Sequence, residues 1–207
     1  MTPTHRRLTL IAALTLGACA SLTGTKAPFT TYAPRYTPPA STNAQSVDWQ
    51  LAIDTPQSSD ALDTSRMLVM PTPGAIETYK GGRWSDTTPL LLRGLLTQAF
   101  QDSGRIAGVG AITSGLHADY SLGIDLYDFE TQYRDGAPHA VIRFTAKLTD
   151  FSVNRIRATR TFEADAPVGG ADARDAAAAI ERVLGILLPQ VIDWTIEQGQ
   201  ANWKKTP

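Results

Sequence analysis

The chain has 207 residues, 43% of them hydrophobic, with 19 Lys and Arg against 20 Asp and Glu. That balance suits one ordinary globular domain with extensions, and it points neither to a nucleic-acid binder nor to an acidic tail. The single cysteine excludes a disulfide within the chain, so the fold must rest on its core alone.

The first eighteen residues read as an export signal. His5, Arg6 and Arg7 form a basic start and Leu8 to Leu16 an apolar core interrupted by Thr9 and Thr15. A run this short does not cross a hydrocarbon core, which needs about 20 apolar residues. The segment ends Leu16-Gly17-Ala18-Cys19, which resembles the bacterial lipobox, and the sole cysteine stands where that motif places the lipidated residue. Cleavage before Cys19 leaves seventeen basic and twenty acidic residues, a mature charge of −3. Each buried lipid methylene stabilises attachment by about 0.8 kcal/mol, so acylation would make the anchor effectively permanent. Ala20 stands where inner-membrane lipoproteins often carry Asp, and by that resemblance the outer membrane is favoured over the periplasmic face of the inner membrane.

Residues 19–46 are rich in Thr, Ser, Pro and Ala, show neither helical nor strand periodicity, and are expected to be a lipidated start and tether. Tyr32 and Tyr36 are read as two aromatics within it.

The domain is expected over 47–203. Val47, Trp49, Leu51 and Ile53 alternate with Asp48, Gln50, Ala52 and Asp54, as on a half-buried strand. Two short strands, 66–70 and 75–79, flank the turn Pro71-Thr72-Pro73-Gly74. A helix follows, with Thr88 or Asp86 as N-cap, Pro89 in its first turn, a stripe of Leu91, Leu92, Leu95, Leu96, Ala99 and Phe100, and a stop at Ser103-Gly104.

A weak strand at 106–109 precedes the alternation Tyr120, Leu122, Ile124 and Leu126, whose phase shifts at Tyr127 and Phe129 as a bulge requires. Ile142, Phe144, Ala146 and Leu148, then Ile156, Ala158, Phe162 and Ala164, form two strands joined into a hairpin by 151–154. A long final helix starts near Asp172 and carries Ile180, Val183, Leu184, Leu187, Val191, Trp194 and Ile196, with Gly185 and Pro189 as points of weakness. The order predicts an α+β single domain, a mixed and mostly antiparallel sheet with two main helices packed on it.

Chemistry is sparse. His117 and His139 are the sole histidines after the signal, they are not spaced as a metal pair, and no nucleophile elbow, phosphate loop or zinc-protease helix occurs. Asp125 and Asp128 share a strand and are better read as a solvated face than as an acid/base pair. Lys147, Arg155 and Arg157 sit near the hairpin end as a basic group, again most simply a solvated face. The sequence therefore assigns no catalytic residue, no metal and no cofactor, and it describes no enzyme.

Four stretches carry a family resemblance: Leu62-Asp63-Thr64-Ser65-Arg66-Met67; Tyr79-Lys80-Gly81-Gly82-Arg83-Trp84-Ser85-Asp86 with Pro89-Leu90-Leu91; Asp119-Tyr120-Ser121-Leu122 through Phe129-Glu130; and Ala146-Lys147-Leu148-Thr149-Asp150. With them the chain resembles the ABC-type transport auxiliary lipoprotein family, the PqiC-like proteins associated with MCE-domain lipid transport systems. The resemblance implies a non-enzymatic part of an intermembrane lipid transport machine, with an MCE-domain protein and its ABC permease and ATPase as partners. A homo-oligomer is left open. The alternative is an outer-membrane lipoprotein that assembles or stabilises the envelope without transport. Tyr79, Arg83 and Trp84 are the candidate partner contacts, because Tyr, Trp and Arg are the usual interface anchors. Packing at a core edge is the simpler role for the two aromatics.

Overall fold

A computed structural model describes residues 28–38, 46–115 and 117–203. Cys19 and the export signal lie outside them. The strands are β1 (Thr30–Tyr32), β2 (Val47–Ile53), β3 (Arg66–Thr72), β4 (Ala75–Trp84), β5 (Ile106–Ala111), β6 (Tyr120–Arg134), β7 (Ala137–Asp150) and β8 (Arg155–Pro167). The helices are α1 (Thr88–Ser103) and α2 (Ala173–Asn202). All eight strands join one mixed sheet, ordered β1-β4-β3-β6-β2-β5, with β7 on the other side of β6 and β8 beyond it. The long ladders, β6 with β7 and β7 with β8, are antiparallel. The parallel pairings are short. The domain is α+β with two helices, as the pattern of elements requires.

The long strand β6 organises the sheet. Its first residues pair with β2, Leu51 opposite Tyr120, and its last pair with β3, Val69 opposite Thr131. Between them the chain keeps contact through Gln57, whose N–H donates to the Ile124 carbonyl and whose carbonyl accepts from Leu126 N–H. The expected change of phase is real: the β6–β7 register shifts between Leu126 and Asp128, so Leu126 and Phe129 are both buried while Tyr127 is exposed. The two-residue turn into β7 is Asp135-Gly136, both at positive φ (51° and 80°), which matches the twist of a tight hairpin.

One core gathers Trp49, Leu51, Ile53, Leu122, Phe129, Phe144 and Leu148 from the sheet with the stripes of both helices. In α1 every residue of the expected stripe is buried. Its N-cap is Thr87, not Thr88 or Asp86. Asp86 Oδ1 accepts from the Thr87 N–H, while Thr88 turns inward, where its hydroxyl donates to the Thr64 carbonyl. The helix ends on Gly104 at φ 62°. In α2, Asp172 caps the first turn by accepting from Asp175 N–H, and the helix runs without a break through Pro189. At its far end the Tyr120 hydroxyl donates to the Gly199 carbonyl at 3.0 Å, satisfying a carbonyl in the last helical turn. Burial pushes that tyrosine up to about 12, with the Asp150 charge adding to the shift.

Two expectations need correction. Residues 30–36 are not a free tether: β1 lies parallel to β4, Thr30 opposite Gly82 and Tyr32 opposite Trp84, while Pro34 and Tyr36 are buried. Three residues of strand carry no periodicity to read, and their partner lies fifty positions away. Ile156 is not on the core face. The ladder shifts register between Leu148 and Thr149, placing an extra residue, Arg157, in β8, so Ile156 moves to the opposite face and is 57% exposed.

Candidate interaction surfaces

The three residues expected at a partner contact occupy different environments. Trp84 is a core side chain, edge-on to Phe129 with ring centroids 5.8 Å apart. Tyr79 is half-buried against the core, and desolvation raises its pKa. Only Arg83 is exposed, and it is engaged within the domain: its guanidinium stacks 3.9 Å over the Phe29 ring and its Nε donates to Thr31 Oγ1. Arg83 therefore clasps β1 against β4.

The glycines of the same segment have separate structural roles. Gly81, at φ 73°, sits where β4 bulges against β3 between the Arg66–Arg83 and Leu68–Thr78 pairs. At Gly82 a Cβ would lie 2.3 Å from that of Ala173, so the strand passes α2 at a distance only glycine allows.

The groups considered for chemistry are dispersed and internally paired. His117 is exposed just before β6, whereas His139 stands at the far end of the β6–β7 hairpin with Nδ1 2.8 Å from Asp165 Oδ2. Asp125 pairs with Lys147, Asp128 with Arg143, and Asp150 with Arg157. Of the basic trio near the hairpin, only Arg155 makes no ion pair among the described residues. No cluster of three metal-ligating side chains occurs among them.

The sequence reading passed over Glu130, 6% exposed on the sheet face away from the helices. Phe129 N–H donates to its Oε2 and Gln132 Nε2 to its Oε1, each at 2.7 Å. Burial raises its pKa, the two hydrogen bonds oppose the rise, and the nearby Asp128 charge adds to it. A cleft of about 80 Å³ beside it is walled by Leu62, Leu68, Met70, Ile76 and Tyr127. Ligand pockets ordinarily need roughly 300 Å³ or more, so this cleft is small for one. A phase-shifted Phe-Glu after a bulge was the available signal for Glu130.

A family model for the ABC-type transport auxiliary lipoprotein component matches residues 30–191. The chain belongs to this family. The match begins at β1, in agreement with the docking of that strand on the domain. Among solved structures, a DUF330 protein from Xanthomonas campestris is 34% identical, with a TM-score of 0.78 over 84% of this chain and 98% of its own. An uncharacterized protein at 15% identity (TM-score 0.59, covering 70% of this chain and 91% of its own) and a hypothetical protein from Chlamydia trachomatis at 8% (0.50, 74% and 99%) share the fold alone. No curated protein matches the chain. The resemblance read from Tyr79 to Trp84 and from Phe129-Glu130 thus leads to the right family, although the residues that carry it are mainly those that build the sheet.

Proposed function

We propose that the chain is a periplasmic lipoprotein, acylated at Cys19 after removal of residues 1–18 and held on the outer membrane. It serves there as a non-enzymatic auxiliary component of an MCE/ABC-type intermembrane lipid transport system. The observation that carries this reading is membership of the ABC-type transport auxiliary lipoprotein family across residues 30–191, directly downstream of Leu16-Gly17-Ala18-Cys19. The dispersed histidines, the internally paired carboxylates and the small Glu130 cleft support a part that holds partners.

Two measurements test it. Replacing Cys19 with Ser removes the thiol that forms the thioether, so the variant should leave the membrane fraction or stay uncleaved and take up no labelled palmitate. Membrane fractionation and labelling equal to wild type would remove the anchor assignment. A tagged wild-type chain should co-purify with an MCE-domain protein, its permease and its ATPase. Capture of none of these would favour the envelope-assembly alternative.

A further inference from the structure

The β7–β8 turn gathers three exposed large apolar side chains. Phe151, Val153 and Ile156 are 41%, 49% and 57% exposed, three large apolar side chains within six residues. Exposed apolar clusters on a small domain mark contact sites more often than accidents.

The turn is rigidly built. Asp150 accepts from both the N–H and the hydroxyl of Ser152, at 2.9 and 2.6 Å, and from Arg157 Nε and Nη2, at 3.0 and 2.8 Å. Asn154 completes it at φ 50°. A preorganised apolar tip loses little entropy when it is covered. Beside it opens a cleft of about 450 Å³, lined by Asp119, Tyr120, Phe151, Val153, Arg157 and Trp203.

This pole presents an exposed cation, Arg155. Asp150 is spent on Arg157, Asp119 accepts from Gln50 N–H, and Arg155 has no ion pair among the described residues.

The path of the chain says which way the pole faces. The described chain begins beside Gly82, which abuts Ala173 at the start of α2, whereas the tip lies beyond Gly199 and Tyr120 at the other end. From Ala173 to Gly199 the helix rises about 40 Å. The nine Cα-to-Cα steps from Cys19 to Pro28 reach at most about 30 Å when fully extended. With Cys19 in the membrane, the domain cannot stand on its tip. A two-fold contact of tip with tip would set arginine against arginine.

Resting on the transport reading above, we infer that this distal pole seats an extended apolar segment bearing carboxylates, supplied by the MCE-domain partner. Its apolar side chains pack on Phe151, Val153 and Trp203, and its carboxylates meet Arg155.

The test is site-specific photo-crosslinking of the full lipidated chain in cells that carry the whole transport system. p-Benzoylphenylalanine replaces Val153 or, separately, the exposed Ile186 on α2. The expected result is an adduct with the MCE-domain protein from position 153 and none from 186. Arg155→Glu should weaken that adduct at least five-fold with an unchanged melting temperature, because the Arg155 side chain is exposed and makes no ion pair among the described residues. An adduct at 153 with phospholipid or with a second copy of the chain overturns the inference. So does an MCE adduct that ignores Arg155→Glu. If scanning captures the MCE protein from other positions but not from 153, the pole assignment alone fails. If no position captures it, the transport reading fails as well.

Discussion

Glu130 and Asp150 are both buried carboxyls, and opposite balances of donors against burial set their behaviour. For Glu130, burial outweighs the donations from Gln132 and Phe129, and the folded-state pKa is raised. As pH rises past the unfolded value of about 4.3, the unfolded chain gives up its proton first, so this residue lowers stability over the window between the two values. Glu130→Gln removes that titration. The melting temperature of the variant relative to wild type should therefore increase as pH is raised through this window, as read by thermal denaturation at a series of pH values. A constant difference would show that Glu130 is ionised in the fold as readily as in the open chain. Asp150 runs the other way. Burial raises its pKa, but the Ser152 hydroxyl, Arg157 and the Ser152 N–H together hold it below the ordinary range. Its contribution is present above the unfolded value and is lost as pH falls through the folded one, so the bonds of the β7–β8 tip to Asp150 weaken only in strong acid.

Among the elements, α2 shows how packing overrides propensity. Alanine in a helix interior is favoured over glycine by about 1 kcal/mol, yet at Gly199 a Cβ would lie 2.5 Å from the Trp49 ring. Trp49 is fully buried and edge-on to Tyr120 at 5.2 Å, so it has no room to retreat. Gly199→Ala should destabilise the domain by about 1–3 kcal/mol in a denaturant titration, the usual cost of overpacking. A gain in stability would mean that α2 can slide at this crossing. The same logic explains Gly82, which lets β4 pass the start of α2.

For the molecule as a whole, the docking of β1 sets where the N-terminal segment meets the domain. Arg83 is central to that docking through Phe29 and Thr31. A surface cation–π contact of this kind contributes about 0.5–1 kcal/mol. Arg83→Ala should therefore leave global stability nearly intact while speeding amide hydrogen exchange at residues 30–32 several-fold. Unchanged exchange there would show that backbone pairing with β4 is sufficient.

Local pattern determined much of this protein without any structure. The leucine stripe of α1, the Ser103-Gly104 stop, the alternation of β2 and β6, the phase shift at Tyr127 and the cap at Asp172 are legible because each depends on neighbours within one or two turns of chain. The family was reached through the resemblance of four segments, and those are largely the segments that build the sheet. The tertiary structure alone decided that Thr30–Tyr32 is a strand, that Trp84 is core and Arg83 a clasp, that Ile156 faces water, and that Glu130 is buried. Each of these turns on a partner distant in sequence or on a one-residue shift of register, which reverses the face of a side chain while leaving composition and periodicity unchanged.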